Sequence, residues 1–298
     1  VLLNIKRTPG EKIADIVILV LAVLVTVIIL YPLVFVLFAS FSDPRQIWDK
    51  PLLLYPAGFN LDSYAKVFEN GEIWRGYLNT ILYAFLGTAI NLIMTVLAAY
   101  PLSRKRFYGK GLFTMLFAFT MFFGGGLIPL YLVNKQLGLL NTVWALVLPG
   151  AISAYNMIIM RTYFQTRIPI ELEESAYVDG CGDFQMLYKI VLPLSMPIIA
   201  VMLLFYGVGH WNAYFDAMIY LTDREKFPLQ LILREILVQN DFKEMAGISV
   251  GAEYADQMMV KEGLKYAIVV LSALPLLLLY PLLSRFFEKG IMVGAIKG

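Results

Sequence analysis

The sequence predicts an all-α membrane protein with six transmembrane helices. Three observations carry that reading. The chain of 298 residues is 59% hydrophobic and 15% charged, whereas soluble domains hold roughly 45–50% apolar and about 25% charged residues. Mean hydropathy is +0.71. Six runs lack any Asp, Glu, Lys, Arg or His: Ile16–Ser42, Gly76–Ser103, Gly111–Asn134, Gln136–Met160, Ile190–Gly209 and Tyr266–Ser284. Each is close to or longer than the ~20 residues that cross a hydrocarbon core. Backbone polar groups find no water there, so the runs are expected to be helices.

Taken in order, the spans are expected at about 13–41, 76–103, 111–134, 142–163, 190–213 and 264–286, within one permease-sized domain, 1–298. The first run is too long for a signal-peptide core, and no small-residue cleavage site follows it. Basic residues set the orientation. Lys6, Arg7 and Lys12 precede the first span, Arg104, Lys105, Arg106 and Lys110 crowd the second link, and Arg285, Lys289 and Lys297 follow the last span. Short basic loops stay cytoplasmic. Both termini, the 104–110 link and the 165–189 loop are therefore expected inside, with outer loops at 43–75 and 214–263. In the outer loops, residues 61–68 pattern as a short amphipathic helix capped by Asn60 or Asp62, and 229–238 as a helix after Pro228. Gly124–Gly126 with Pro129, Pro149-Gly150, Pro275 and Pro281 interrupt several spans. Such breakers serve either ordinary packing or helices that line a cavity.

Composition excludes several chemistries. One cysteine, Cys181, leaves no intramolecular disulfide, and one histidine, His210, leaves no histidine-rich metal site. There is no G-x-x-x-x-G-K-[ST] phosphate loop. The net charge of +2 comes without a basic stripe, so nucleic acid is not an expected partner. A self-contained secondary transporter or channel would want ionisable groups at membrane depth, but only Asp15 and His210 come near a span, both at edges. Matching halves of the kind many such transporters carry are also missing. Tyr206, His210, Trp211, Asn212, Tyr214 and Asp216 gather at the outer end of the fifth run. Hydroxyls, amides and flat rings suit a sugar path, and the same types also form interfacial belts. Asn91 and Asn156 are intramembrane amides, read either as part of that path or as helix–helix hydrogen bonds. Arg161 is expected to snorkel to the inner interface.

The polar exception is ELEESAYVDGCGDFQMLYKIVLPLSMP, residues 171–197. Early proline and acids in the first turns predict a helix over 169–178. Gly180 and Gly182 then permit a turn, and 184–190 resumes helical patterning into the fifth span. A helix this short needs a surface to pack against.

Within that segment, Glu174-Ser175-Ala176, then Asp179-Gly180, then Ile190-Val191-Leu192-Pro193 resemble the signature loop of membrane subunits of ATP-driven importers. The family pattern is Glu-Ala-Ala, a glycine four residues on, and a later Ile-x-Leu-Pro; Ser175 replaces the first alanine. The resemblance covers nearly the whole chain and lies in the carbohydrate branch of ABC permeases, the branch of the smaller maltose-importer membrane subunit. Leu61–Tyr64, Leu78-Asn79-Thr80, Asn141–Ala145, Trp211-Asn212 and the tail Gly290…Gly294–Gly298 all resemble that branch. Phe123–Pro129 and Phe227–Gln230 look closer to a subgroup for complex or acidic oligosaccharides such as alginate.

The resemblance implies a type I ABC importer permease (MetI-like) fold in the bacterial cytoplasmic membrane. It implies that Glu174, Ser175, Ala176, Asp179 and Gly180 form a coupling helix docked on an ATPase subunit. It implies a second ATPase contact through Gly290, Gly294, Lys297 and Gly298, although a frayed terminus is the alternative. Expected partners are a paralogous permease in a heterodimer, two ATP-binding cassette subunits, an extracytoplasmic solute-binding protein reached through the long outer loop, and an oligosaccharide. No cofactor is expected on this chain, and ATP with Mg2+ belongs to the ATPase.

Overall fold

A computed structural model describes residues 9–47, 50, 52–245, 263–279 and 281. In chain order the main helices are α1 (Pro9–Ser40), α2 (Asp62–Glu69), α3 (Gly71–Ser103), α4 (Lys110–Phe122), α5 (Leu127–Gln136), α6 (Ala154–Arg167), α7 (Ile170–Val178), α8 (Asp183–Leu194), α9 (Met196–Trp211), α10 (Phe215–Tyr220), α11 (Leu229–Met245) and α12 (Gly263–Leu279). Among the described residues there is no strand, and one isolated bridge joins Ser42 and Phe59. By length and composition, α1 and α3 can each cross a membrane alone. The pairs α4–α5 and α8–α9 meet the same test together, bent by 113° and 82°.

The chain divides into two compact units, Val1–Asn70 with Ile236–Ser272 and Gly71–Glu235 with Ala273–Gly298. In the first, α1 is a run of Leu, Val and Ile side chains exposed along nearly its whole length. It closes on hydroxyls. Ser42 Oγ donates to the Phe38 carbonyl at 2.7 Å and accepts the Ala57 N–H at 2.9 Å. Ala39, Ile47, Leu53 and Ala57 bury one another around that corner. Neither expected cap, Asn60 or Asp62, holds the cap position of the short helix: Leu61 does, and Asn60 Oδ1 accepts the Asp62 N–H at 2.6 Å in the turn before it. Phe35 meets Tyr266 edge-to-face at 5.9 Å.

The second unit is organised on α3, against which α9 and α6 make the most extensive contacts. Val96, Ala99, Tyr100 and Leu102 of α3 pack against Met157, Met160 and Phe164 of α6, with Ala176, Met186, Leu187 and Val191 closing the cluster. Unbranched methionines fill such irregular gaps at low rotamer cost. The expected fourth helix, 142–163, is not continuous. A single turn, Trp144–Val147, is followed by irregular backbone to Ser153, and α6 begins only at Ala154. Pro149 lacks the N–H that a helix needs, and Ser153 restarts the helix by accepting the Asn156 N–H on its Oγ at 3.4 Å. The expected third helix, 111–134, likewise breaks at Phe123–Gly126, where Gly126 has φ +82°. An uncharged run registers length and polarity and is blind to such breaks.

The Gly71 end of α3 is stitched to residues 222–229. Thr80 Oγ1 accepts the Leu229 N–H at 2.8 Å. Asn79 Nδ2 donates to the carbonyls of Glu225 and Phe227 at 2.8 and 3.1 Å, and Tyr83 Oη donates to that of Lys226 at 2.9 Å. Asn141, in the left-handed region at φ 59°, accepts the N–H groups of Thr222 and Asp223 on its Oδ1 at 3.3 and 3.1 Å. Arg224 grips Glu72 through two bonds at 2.9 and 3.0 Å, which holds the Glu72 carboxyl below its ordinary range. Exposed pairs of this kind contribute little each, about 0–1 kcal/mol; the backbone bonds fix the strap.

The α3–α6 cluster yields a stability prediction. Phe164 is fully buried within it. Phe164→Ala is expected to destabilise the protein by about 3–5 kcal/mol, measured by denaturant unfolding in mixed micelles. A cost below ~1 kcal/mol would mean the cluster is not packed as described.

Candidate functional site

The acidic segment folds as two helices about a glycine. Helix α7 ends at Val178 with Asp179 as its C-cap, Gly180 takes φ +79°, and the Cys181 N–H returns to the Ala176 carbonyl at 2.9 Å. A residue with a Cβ would be strained at that φ. Gly182, in contrast, is extended and leads into α8. Within α8, Leu187–Val191 winds as a π-helical turn before the bend at Ser195. Ala176 is buried in the α3–α6 cluster, while Glu171, Glu174, Ser175, Val178 and Asp179 are exposed. One face of the hairpin is therefore keyed into the bundle and the other is presented outward.

The two adjacent glutamates face different ways. Glu173 pairs with Arg104 at the end of α3, their side chains only 14% and 11% exposed. Burial pulls the Arg104 guanidinium below its ordinary value, though arginine stays charged in proteins. Its guanidinium also lies over the Tyr100 ring at 4.9 Å, and Arg106 lies over Tyr177 at 4.7 Å. Tyr177 donates its hydroxyl to Asp183 across the Gly180 turn. That bond, with burial, pushes the Tyr177 pKa up to about 12. Arg161, expected to snorkel, instead donates from Nε to the Leu102 carbonyl at 3.0 Å and ties α6 to the same end of α3. Glu174 has no ion-pair partner among the described residues. The tail residues Gly290, Gly294, Lys297 and Gly298 lie outside the described residues.

Further along α3, a cavity of about 250 Å3 gathers Asn91, Tyr206 and His210 with Thr80, Tyr83 and Asp216. Asn91 is its keystone. Its Nδ2 donates to the Gly150 carbonyl at 2.5 Å, and its Oδ1 lies 2.5 Å from His210 Nε2. A carbonyl only accepts, so the Asn91 amide nitrogen must face Gly150. The amide oxygen then faces His210, whose Nε2 must carry the proton. The His210 ring lies against Gly87, where a Cβ would collide with it. Tyr206 and Thr95 share a hydrogen bond at 2.7 Å. Burial raises the Asp216 carboxyl above its ordinary value.

The other sequence candidates fall outside this cavity. Trp211 is buried, edge-on to Tyr77 at 5.7 Å. Asn212 is exposed, donating to the Val208 carbonyl at 3.1 Å. Tyr214 lies under Arg234 at 5.6 Å. Asn156 sits in the first turn of α6, buried. Tyr83, Thr95 and Gly87 are not singled out by sequence, and Thr80 only as part of the Leu78-Asn79-Thr80 resemblance; their spacing along α3 offers a signal only once the partner helix is known. Among the described residues, no group of three or more His, Cys, Asp or Glu converges as a metal site would require.

Interrupted apolar helices around a polar cavity, with a one-faced acidic hairpin at the bundle end, define a membrane permease. The chain belongs to the family of binding-protein-dependent transport system inner membrane components, whose family model matches residues 91–293. It is 41% identical over 272 residues to the polygalacturonan/rhamnogalacturonan transport system permease protein YtcP of Bacillus subtilis, covering 90% of this chain and 92% of that protein. It is 39% identical to Protein LplC of Bacillus subtilis, covering 91% and 90%. The structure of a bacterial ABC transporter involved in the import of the acidic polysaccharide alginate matches with TM-score 0.85 and 33% identity, over 94% of this chain and 99% of that one. The chain is thus a membrane subunit of an ABC importer and resides in the bacterial inner membrane.

The two glutamates should separate in stability. Glu173→Gln strands a nearly buried Arg104 and is expected to cost about 3 kcal/mol. Glu174→Gln, at an exposed position, should stay within ~0.5 kcal/mol. Thermal unfolding of the purified chain in detergent checks both, and equal shifts would contradict the assignment.

Proposed function

We propose that this chain is half of the translocation path of an ATP-driven, binding-protein-dependent oligosaccharide importer. Six spans carry it through the membrane with both termini cytoplasmic, and outer loops 43–75 and 214–263 face the solute-binding protein. The observation that carries the reading is the one-faced α7–α8 hairpin: Ala176 keyed inward, Glu174 exposed with no ion-pair partner among the described residues. A second permease, paralogous to this one, completes the path as a heterodimer. Two ATP-binding cassette subunits bind and cleave ATP with Mg2+. This chain holds no cofactor and performs no hydrolysis.

In this mechanism α7 docks in a cleft of the ATPase. Glu174 pairs there with a basic side chain, Ser175 allows close approach, and Asp179 and Gly180 shape the hairpin. The tail Gly290, Gly294, Lys297 and Gly298 makes a second contact. Closure of the ATPase pair moves the hairpin. Because Glu173–Arg104 ties the hairpin to α3, the motion reaches α3 as well as α9. The bundle switches between two discrete arrangements, as in other hinge and shear transitions. Sugar passes beside Asn91, Tyr206 and His210, with Trp211, Asn212, Tyr214 and Asn156 nearby in sequence or helix. Saccharides are the expected cargo because the relatives named above handle polygalacturonan, rhamnogalacturonan and alginate.

Reconstituted transporter complexes test the docking. Glu174→Lys is expected to abolish stable association with the ATPase pair and reduce uptake by at least about tenfold, while the permease pair stays assembled. Normal uptake by this variant would sink the reading. Asn91→Ala, in contrast, should leave ATPase association intact. It should lower binding-protein-stimulated transport by about tenfold, the scale of ~1.4 kcal/mol for a lost buried hydrogen bond. Unaltered transport of every saccharide tried would remove Asn91 from the path.

A further inference from the structure

The polar lining of the cavity beside Asn91 consists of Thr80, Tyr83, Asn91, Tyr206, His210 and Asp216. The first five are each hydrogen-bonded within the protein. Thr80 meets the Gly76 carbonyl and the Leu229 N–H, and Tyr83 meets the Lys226 carbonyl. Tyr206 meets the Thr95 hydroxyl, and Asn91 meets both Gly150 and His210. Asp216 makes no hydrogen bond or ion pair among the described residues. Its position is nevertheless a fixed one. The next residue in α10, Ala217, is buried against Leu221 and Leu231.

Neither lysine nor arginine lines this cavity. The cations of the neighbouring strap and of α11 are held elsewhere. Lys226 is held by Asp223 and the Asn141 carbonyl, Arg224 by Glu72 and Glu235, and Arg234 lies over the Tyr214 ring. Burial raises the Asp216 carboxyl with no cation to oppose it. A carboxylate only accepts hydrogen bonds. With the other polar side chains already engaged, a ligand here must bring donors to Asp216. It must also bring no negative charge, because like charges in a half-enclosed site repel. An uncharged sugar ring meets both conditions, since its hydroxyls can donate to the two oxygens of one carboxylate. A uronate meets the first condition and fails the second.

We propose that Asp216 is a specificity residue of this half of the path: it accepts hydroxyls of a neutral sugar unit and disfavours a uronate. The inference rests on the oligosaccharide reading above and narrows it. The alginate importer that resembles this chain handles an acidic polysaccharide; the cavity of this chain is built for an uncharged unit.

Two matched probes test it: digalacturonate and the galactose disaccharide of the same linkage, which differ only in a carboxylate against a hydroxymethyl group on each ring. Their binding to the permease–ATPase complex in nanodiscs is compared by competition in saturation-transfer NMR. The solute-binding protein is left out because it selects cargo by itself. Wild type is expected to favour the neutral disaccharide by at least about tenfold, the scale of one charge-assisted hydrogen bond. Asp216→Asn keeps the shape and removes the charge, so the preference should fall to within about twofold of parity. Asp216→Glu should keep the wild-type preference. Both probes are read on one sample, so partial loss of folded protein leaves the ratio unchanged, and unfolding temperatures check each variant. Neutral-disaccharide binding with a preference that Asp216→Asn does not move overturns this inference and leaves the oligosaccharide path standing. A wild-type preference for digalacturonate does the same. Binding of neither probe to wild type overturns both.

Discussion

A carbonyl released by a break in a membrane-embedded helix must find a donor inside the protein. At Gly150 that donor is the Asn91 amide, and much of the second unit follows from it. The break lets Pro149 and Gly150 wall the cavity with irregular backbone. Meeting that carbonyl fixes which way the Asn91 amide turns, which fixes the proton on His210 Nε2. His210 in turn lies against Gly87, so α9 sits as close to α3 as the absent side chain allows. One amide thus couples the backbone break, the tautomer and the helix spacing. Asn91, His210 and Tyr206 are all hydrogen-bonded within the protein, so this part of the cavity surface is fixed before any cargo arrives.

The opposite end of α3 solves a different problem, that of fastening a short acidic helix that has little stability of its own. Apolar burial of Ala176 and Met186 is reinforced by the nearly enclosed Arg104–Glu173 pair. A buried pair is a poor source of net stability, but breaking it is costly, so it enforces one arrangement. The neighbouring glutamate keeps its charge outside. Two identical side chains in succession therefore do opposite work, and the 100° step between consecutive helical positions is what separates them.

Much of this was readable in the sequence. The two-helix form of the acidic segment and its turn at Gly180 followed from charge and glycine placement, because that information is local. The union of Asn91, Tyr206 and His210 was half legible: polar groups in apolar runs stand out, but which of them meet does not. Trp211, Asn212 and Tyr214 were grouped with them by adjacency, and a helix sends adjacent residues to different faces. The breaks at Phe123–Gly126 and Pro149-Gly150 were visible as breakers, yet the uncharged runs containing them were drawn as whole helices. The strap at 222–229 was not legible, since Asn79, Thr80 and Tyr83 bind carbonyls and N–H groups some 140–150 residues away, and such partners leave no local periodicity. Arg104 with Glu173 was hidden for the same reason.

The π-helical turn at Leu187–Val191 has a consequence for the phase of the chain. A π turn accommodates one residue more than an α turn, equivalent to about 100° of rotation. Side chains before it, such as Phe184, and side chains after it, such as Leu194, do not share the stripe that a uniform helix would give them. The hairpin and the membrane span can therefore each meet their own surroundings with their own apolar face, although the chain runs from one into the other without a loop. Loss of a single residue there would realign the two stripes and turn one of them to the wrong environment.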